Sequence, residues 1–180
     1  MKAAIGTVIG ALLLAAPATA ANTNLQFGPQ ASYGAGIDGN AGFGVGGRVV
    51  VDLAQKRRGL AFVGSLDYFL SPEGGAEGQG LTVDVSYVEV NANLTHTFGG
   101  GGRRVKKVRT TRLTPYAGLG LNLAHRSASV EGNGFDTSSS TTKIGLNLLG
   151  GLKITHQVFA ELRGELGGGE QLLLTAGFLF

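Results

Sequence analysis

The chain has 180 residues, enough for one domain, and 43% of them are hydrophobic while only 15% are charged. Glycine occurs 32 times without a collagen-like period and cysteine is absent, which excludes a collagen triple helix and a disulfide-stapled scaffold. The formal net charge of +3 indicates no particular partner. Nucleic-acid-binding motifs are missing, and no apolar run after residue 20 reaches the roughly 18 residues that a membrane helix needs.

The first twenty residues have the three parts of a secretory signal peptide. Lys2 supplies a positive charge, residues 3–16 are apolar, and Ala18, Thr19 and Ala20 form a small-residue cleavage site. We therefore predict that residues 1–20 are removed on export. A single domain should then cover residues 21–180.

From residue 25 onward, apolar residues alternate with small or polar ones, and this period of two indicates strands with unlike faces. Glycine-rich and polar turn sequences separate the alternating segments. Some links, such as the one at His156, are too short for a parallel crossover, so consecutive strands should be antiparallel. The eight predicted strands cover residues 25–38, 43–53, 60–70, 88–98, 118–123, 143–154, 158–166 and 172–180.

The composition of the two strand faces decides between a soluble and a membrane protein. A soluble barrel or sandwich would hide the apolar face, but the other face is mostly Gly, Ser, Thr and Asn, with few of the charges of a soluble surface. The opposite arrangement, apolar residues in lipid and small polar residues in a lumen, is typical of transmembrane barrels. We predict an all-β fold, an eight-stranded antiparallel up-and-down transmembrane β-barrel. Aromatic residues including Tyr87 and Tyr116 should form girdles near the strand ends.

Three segments carry a family resemblance: "LTPYAGLGLNL" (113–123), "QVFAELRGEL" (157–166) and the closing "TAGFLF" (175–180). Residues 25–180 resemble the small eight-stranded outer-membrane barrels of Gram-negative bacteria, the OmpA transmembrane-domain and OmpX-like family. The resemblance implies an outer-membrane location, periplasmic termini and contact with outer-membrane lipids, and we expect a monomer. It also implies that the barrel-assembly machinery reads the alternate residues at the C-terminus, namely Leu172, Leu174, Ala176, Phe178 and Phe180.

The implied orientation separates the charges of the links between strands. Basic residues collect on the periplasmic side, above all in the turn at residues 103–112, which begins with Arg103 and ends with Arg112. This turn either binds anionic headgroups or a periplasmic partner, or is a solvated loop. The long external link at residues 127–142, from Ser127 to Thr142, is either a surface for a ligand or a plain solvated loop.

Charged residues on the inward face form a second candidate site. An eight-stranded barrel is just wide enough for side chains to fill it, and buried charges must pair, so a salt-bridge network should largely plug the polar lumen. Its predicted members are Arg48, Asp67, Glu89, Lys143, Lys153, Glu161, Arg163 and Glu165. A narrow porin-like channel for small or amphiphilic solutes is the alternative, because many inward-facing glycines would leave room for water.

His125 and Ser127 form the one pair that suggests catalysis. Some small outer-membrane barrels are lipid A deacylases with a His-x-Ser pair, and both side chains here should point outward near the external rim. The following strand, however, has no Glu or Asp to orient the histidine. We predict no enzyme and no catalytic, cofactor or metal site, with lipid A modification as a further alternative. The predicted role is structural, with display of the outer links at the cell surface.

Overall fold

The computed structural model describes residues 25–36, 41–53, 59–70, 82–98, 113–132, 135–167 and 171–180. The predicted signal peptide at residues 1–20 and the basic turn at residues 103–112 lie outside these ranges. In the described part of the chain, no helix is long and apolar enough to cross a membrane.

Eight strands form one closed antiparallel barrel in which each strand pairs with the next and the last pairs with the first. The predicted fold class is therefore confirmed, and the C-terminal strand closes the barrel on the first strand, with Ala31 opposite Ala176 at the seam. The strands are β1 (Leu25–Gly36), β2 (Ala41–Asp52), β3 (Leu60–Leu70), β4 (Thr82–Thr97), β5 (Thr114–Gly132), β6 (Phe135–Lys153), β7 (Val158–Leu166) and β8 (Gln171–Phe178).

The two faces of the barrel wall differ sharply in exposure, as the alternation predicts. Leu148 is 69% exposed and Leu149 only 3%, and on β8 the exposed fraction is 57% for Leu174 and 1% for Leu173. Successive residues of a strand point to opposite faces, so one leucine of each pair faces outward and the other faces the lumen. An outward belt of large apolar side chains on this scale marks a surface that contacts lipid.

The strands β4, β5 and β6 continue well beyond the barrel wall, which corrects the prediction of a loop at residues 127–142. The β5–β6 ladder runs without a break from Thr114–Lys153 to Gly132–Phe135. By contrast, β3 ends opposite Ser86 and β7 ends opposite Leu146. Residues 82–85, 128–132 and 135–144 thus form a three-stranded extension, here called the outer sheet. The end of the barrel that carries it is called the hairpin end, and the opposite end, where β1 begins, the terminal end.

Candidate functional site

The lumen is apolar at its terminal end. One buried cluster, at most 6% exposed, fills this end with side chains from β2, β3, β7 and the C-terminus: Val50, Ala61, Val63, Phe159 and Leu179. All belong to the inward-facing set of the alternating pattern. These side chains offer no polar atom to water or ions.

A charged layer begins directly beyond the apolar one, two residues further along β7. There Glu161 accepts hydrogen bonds from Arg48 Nη2 at 2.6 Å, Arg163 Nη2 at 3.0 Å and the Tyr116 hydroxyl at 2.9 Å. The Arg48 guanidinium also lies over the Phe159 ring, 4.3 Å from its centroid. This cation–π contact joins the two layers, since Phe159 belongs to the apolar cluster.

Arg163 is the centre of the charged layer. Its Nη1 lies 3.2 Å from Glu89 Oε1 and 3.9 Å from Glu165 Oε1, and its Nη2 lies 3.0 Å from Glu161 Oε1. The guanidinium side chain is 1% exposed and the three glutamate side chains 0%. Removing a charge from water is costly unless a partner compensates it, so one cation here supports three carboxylates and connects β7 to β4.

The remaining predicted members of the network have different surroundings. Asp67 is 1% exposed and accepts hydrogen bonds from neutral donors, Gln30 Nε2 at 2.7 and 2.9 Å and Ser32 Oγ at 3.2 Å. Lys153 is half-buried at the last residue of β6, and Lys143 is exposed. Although Lys143 has inward parity, β7 ends before reaching its level, so Lys143 does not lie in the lumen.

Neutral side chains supply further hydrogen-bond donors to the buried carboxylates. Gln171 Nε2 donates to Glu89 Oε2 at 3.0 Å and to Glu165 Oε2 at 3.1 Å, and the Tyr87 hydroxyl donates to Glu89 Oε2 at 3.2 Å. Such donors are needed because the buried lumen has two described arginines, Arg48 and Arg163, for four carboxylates, those of Asp67, Glu89, Glu161 and Glu165.

A set of asparagines on β4 and β6 extends the polar interior. Asn91 Nδ2 donates to Glu89 Oε1 at 2.5 Å, while Asn147 Nδ2 donates to the side-chain oxygens of Asn91 at 2.7 Å and Asn93 at 3.0 Å. Sequence reasoning counted these residues only as small polar lining. Their inward parity was visible, but the contact depends on register, because Asn93 and Asn147 both pair with Gly120 of β5, which has no side chain to separate them.

Several inward-facing glycines lie directly opposite inward-facing aromatic rings. The cross-strand pairs are Gly44–Phe69, Gly151–Tyr116 and Gly177–Phe159. A Cβ atom added at Gly177 would stand 2.7 Å from the Phe159 ring, and one at Gly44 would stand 2.9 Å from the Phe69 ring. At these positions the space left by the missing side chain is filled by a ring, not by the water path that the channel alternative requires.

The five residues of the predicted assembly signal share the outward parity of β8: Leu172, Leu174, Ala176, Phe178 and Phe180. At the end of the chain, the Phe180 N–H donates to the Phe27 carbonyl at 2.8 Å. Its ring lies 5.0 Å from the Phe178 ring and 6.0 Å from the Phe27 ring. The terminal residue is thus tied to both strands of the seam while its side chain stays 61% exposed.

Aromatic residues divide between the outer face and the lumen. Tyr33 and Phe43 pair directly across β1 and β2 and are 53% and 49% exposed, as residues of a girdle should be. The prediction that Tyr87 and Tyr116 belong to a girdle is wrong, because both hydroxyls donate to lumen glutamates. Tyr87 lies two residues from Glu89 and so has the same inward parity. For both tyrosines, parity determines the side of the wall more strongly than closeness to a strand end.

His125 lies on the outward face of β5, where it was predicted. Its Nδ1 is 2.9 Å from the Thr142 hydroxyl on β6, and the residue is exposed. Ser127 follows two residues later and is half-buried. The partner of the imidazole is therefore a hydroxyl group and not the carboxylate of a catalytic triad. Among the described residues, no group of three His, Cys, Asp or Glu could hold a metal ion.

Comparison with known proteins shows similarity at the level of the fold. No protein-family model matches the sequence, and no curated protein is significantly similar to it. Ail, the attachment invasion locus protein of Yersinia pestis, matches with a TM-score of 0.52 at 15% identity, over 87% of this chain and 96% of Ail. The N-terminal β-barrel domain of Pseudomonas aeruginosa OprF matches with a TM-score of 0.51 at 18% identity, over 88% of this chain and 98% of that domain. The chain has the fold of the small eight-stranded outer-membrane barrels that its sequence resembles.

Proposed function

We propose that the chain is a monomeric integral protein of the bacterial outer membrane whose barrel holds the outer sheet at the cell surface. The observation that carries this proposal is the continuity of β5 and β6 from the lipid-facing wall into a polar extension. Residues 137–144 of β6 are all exposed, and Ser and Thr occupy positions 137–142. A belt of exposed leucines is stable in lipid, whereas a hydroxyl-rich sheet is stable in water. In this proposal the wall anchors the protein in the membrane and the outer sheet is displayed at the cell surface.

The two ends of the barrel support one orientation in the membrane. The first residues of β1 and the last residues of β8 lie at the terminal end, opposite the outer sheet. A chain exported by a signal peptide reaches the outer membrane from the periplasm, so its termini belong on that side and the outer sheet outside. The outward face of β8 is then the surface that the barrel-assembly machinery would read.

The filled lumen supports a structural role more than a conducting one. Its terminal end is an apolar layer, and the Arg163 cluster lies next to that layer along the same axis. The hydroxyl partner of His125 likewise supports a protein without catalytic activity, because a hydroxyl does not stabilise an imidazolium as a carboxylate does.

Surface labelling of a single cysteine tests the proposal. The chain has no native cysteine, so Ser139→Cys places one thiol on the outer sheet and Ser65→Cys places one in the buried lumen. In intact cells a membrane-impermeant maleimide should label the Ser139→Cys variant and not the Ser65→Cys variant. The labelled protein should fractionate with the outer membrane and change its gel mobility on heating. Labelling of Ser139→Cys only after cell disruption would contradict the proposed orientation.

A further inference from the structure

Glu165 has the weakest set of partners among the four buried carboxylates of the lumen. Glu161, by contrast, is held by both arginines. Among the described residues, Glu165 accepts a hydrogen bond only from Gln171 Nε2, at 3.1 Å. Its Oε1 is buried with no hydrogen-bond partner in the described part of the chain, and Arg163 Nη1 lies 3.9 Å away. An ionised carboxylate at this position is costly, because burial removes its hydration without supplying donors in exchange.

Glu165 also shares its surroundings with a second carboxyl group, that of Glu89. Gln171 Nε2 donates to both residues, at 3.0 Å to Glu89 Oε2 and at 3.1 Å to Glu165 Oε2. Arg163 Nη1 faces both as well, and the two carboxyl groups are within hydrogen-bonding reach of each other. Two ionised carboxylates in one site repel each other strongly, and a hydrogen bond between them exists only when one carries a proton.

The charges of the cluster balance when this pair holds one proton. Arg48 lies 2.6 Å from Glu161 and compensates it. Arg163 then remains as the one cation for Glu89 and Glu165, so one of their two negative charges has no counterpart. The other described cations of inward parity lie outside the cluster, being exposed or at the terminal end: Arg126, Lys143 and Lys153.

The remaining groups around the pair supply no further positive charge in the described part of the chain. Tyr87 of β4 donates a neutral hydroxyl to Glu89, and Asn147 of β6 is the register partner of Glu165. The nearby titratable groups of β7 and β3 are themselves carboxyls, those of Glu161 and Asp67. The surroundings of the pair therefore favour a bound proton over a second anionic charge.

We propose that Glu89 and Glu165 hold one shared proton in the folded barrel at neutral pH. The Glu165 carboxyl donates this proton to the Glu89 carboxylate, and the one negative charge left on the pair is compensated by Arg163. The proton comes from the solvent during folding and returns to it on unfolding, since a glutamate in water is ionised above about pH 4.3. The inference goes beyond the proposed function and does not depend on the orientation of the barrel.

The stability of the barrel should therefore fall as the pH rises, because the folded state binds one proton more than the unfolded state. Urea titrations of the full barrel in lipid vesicles, made between about pH 6 and about pH 8, test this with Glu165→Gln as the comparison. The amide resembles a protonated carboxyl in shape and cannot ionise. The unfolding equilibrium constant of the unsubstituted protein, relative to that of the variant, should rise about tenfold per pH unit.

The sign of the substitution effect separates proton binding from a merely structural role. With a bound proton, Glu165→Gln stabilises the barrel at the alkaline end of the range. A Glu165 that acts as an ionised partner of Arg163 would make the same variant less stable at every pH. Asp67→Asn is the matched control, because it neutralises a buried lumen carboxyl outside the pair. The effect of Glu165→Gln should be the same in the Asp67→Asn background.

Infrared difference spectra report the proton directly, without unfolding the barrel. At about pH 7 the unsubstituted protein should show the C=O absorption of a protonated carboxyl that is lost in Glu165→Gln and in Glu89→Gln. This absorption should persist in Asp67→Asn.

Three results would overturn the inference. The first is a ratio of unfolding constants that does not change with pH. The second is a protonated-carboxyl absorption that neither Glu165→Gln nor Glu89→Gln removes. The third is stabilisation by NaCl or KCl at fixed pH that Glu165→Gln abolishes, which would identify a metal cation and not a proton as the occupant of the pair.

Discussion

At the scale of single residues, Arg163 is the buried cation that contacts the most carboxylates. Its guanidinium contacts Glu89, Glu161 and Glu165, all fully buried. Arg163→Met should lower the free energy of unfolding by about 3–5 kcal/mol, because it leaves carboxylates without a cation. Urea titration of the barrel folded in lipid vesicles would measure this. Lys143→Met is the matched control and should change stability by less than about 0.5 kcal/mol, since Lys143 is exposed. Equal effects of the two substitutions would contradict the Arg163-centred network.

The last two residues of the chain should have separable roles. Leu179 is 3% exposed within the apolar layer, whereas the Phe180 side chain is 61% exposed. Leu179→Ala should cost about 2–5 kcal/mol of unfolding free energy through the cavity it leaves. Phe180→Ala should cost about 1 kcal/mol in the folded barrel, because most of its side chain faces outward. If β8 is read during assembly, Phe180→Ala should nevertheless reduce the folded fraction in cells more than Leu179→Ala does.

Comparing the yield of heat-modifiable protein in outer-membrane fractions with the stability after refolding in vitro checks this pair. The prediction fails if cellular yield simply follows unfolding free energy across both variants.

Parity along the sequence predicts the side of the wall for most single residues, including the adjacent leucines Leu173 and Leu174. It is insufficient in two cases for physical reasons. Lys143 has inward parity but lies above the level where β7 ends, and parity contains no information on strand length. Two partners of Glu89, Arg163 of β7 and Gln171 of β8, come from strands far from β4 in the chain, and such contacts exist only after the barrel has closed.

At the scale of strands, an inward glycine leaves space in which a ring on the neighbouring strand packs. Gly177→Ala would place a methyl group 2.7 Å from the Phe159 ring and 2.6 Å from the Pro29 carbonyl oxygen. We expect it to cost about 1–3 kcal/mol, because a filled site must shift backbone or ring to accept the new atom. Gly150→Ala is the control, since nothing lies within 4 Å of its added Cβ.

Gly150 is an exposed residue of β6, and its substitution should leave stability within about 0.5 kcal/mol. Unfolding titrations of both variants under identical conditions decide the point. Equal stability of the Gly177→Ala variant and the unsubstituted protein would show that the ring at Phe159 moves aside freely.

The alternation of apolar and polar residues did not predict the full length of β5 and β6. In the wall, one face is apolar and the other polar, so the period of two is visible. In the outer sheet, residues 137–144 of both parities are exposed, and the sequence from Ser138 to Thr142 carries hydroxyl side chains on each face. Such composition is typical of loops, and only the unbroken β5–β6 ladder shows that the backbone remains extended.

At the scale of the whole molecule, the lumen is layered along its axis. The apolar cluster lies at the terminal end, the Arg48–Glu161–Arg163 contacts follow, and Asp67, Glu89 and Glu165 continue the polar interior towards the hairpin end. Ions would have to cross both kinds of layer in series. We therefore expect that removal of one layer alone does not open the barrel.

Planar-bilayer recordings give a direct prediction from this series arrangement. The unsubstituted barrel should show no stable openings, and Phe159→Ala should stay closed as well, because it empties part of the apolar layer but leaves Arg163 with its three glutamates. Glu161→Ala, which removes the carboxylate shared by Arg48 and Arg163, should also stay closed while the apolar layer persists. The combined Phe159→Ala and Glu161→Ala variant should be the first to conduct, provided that its heat-modifiable mobility shows a folded barrel.

Stable openings in the unsubstituted protein would instead establish a continuous water path and favour the channel. Openings in the Phe159→Ala variant alone would mean that the charged layer is permeable.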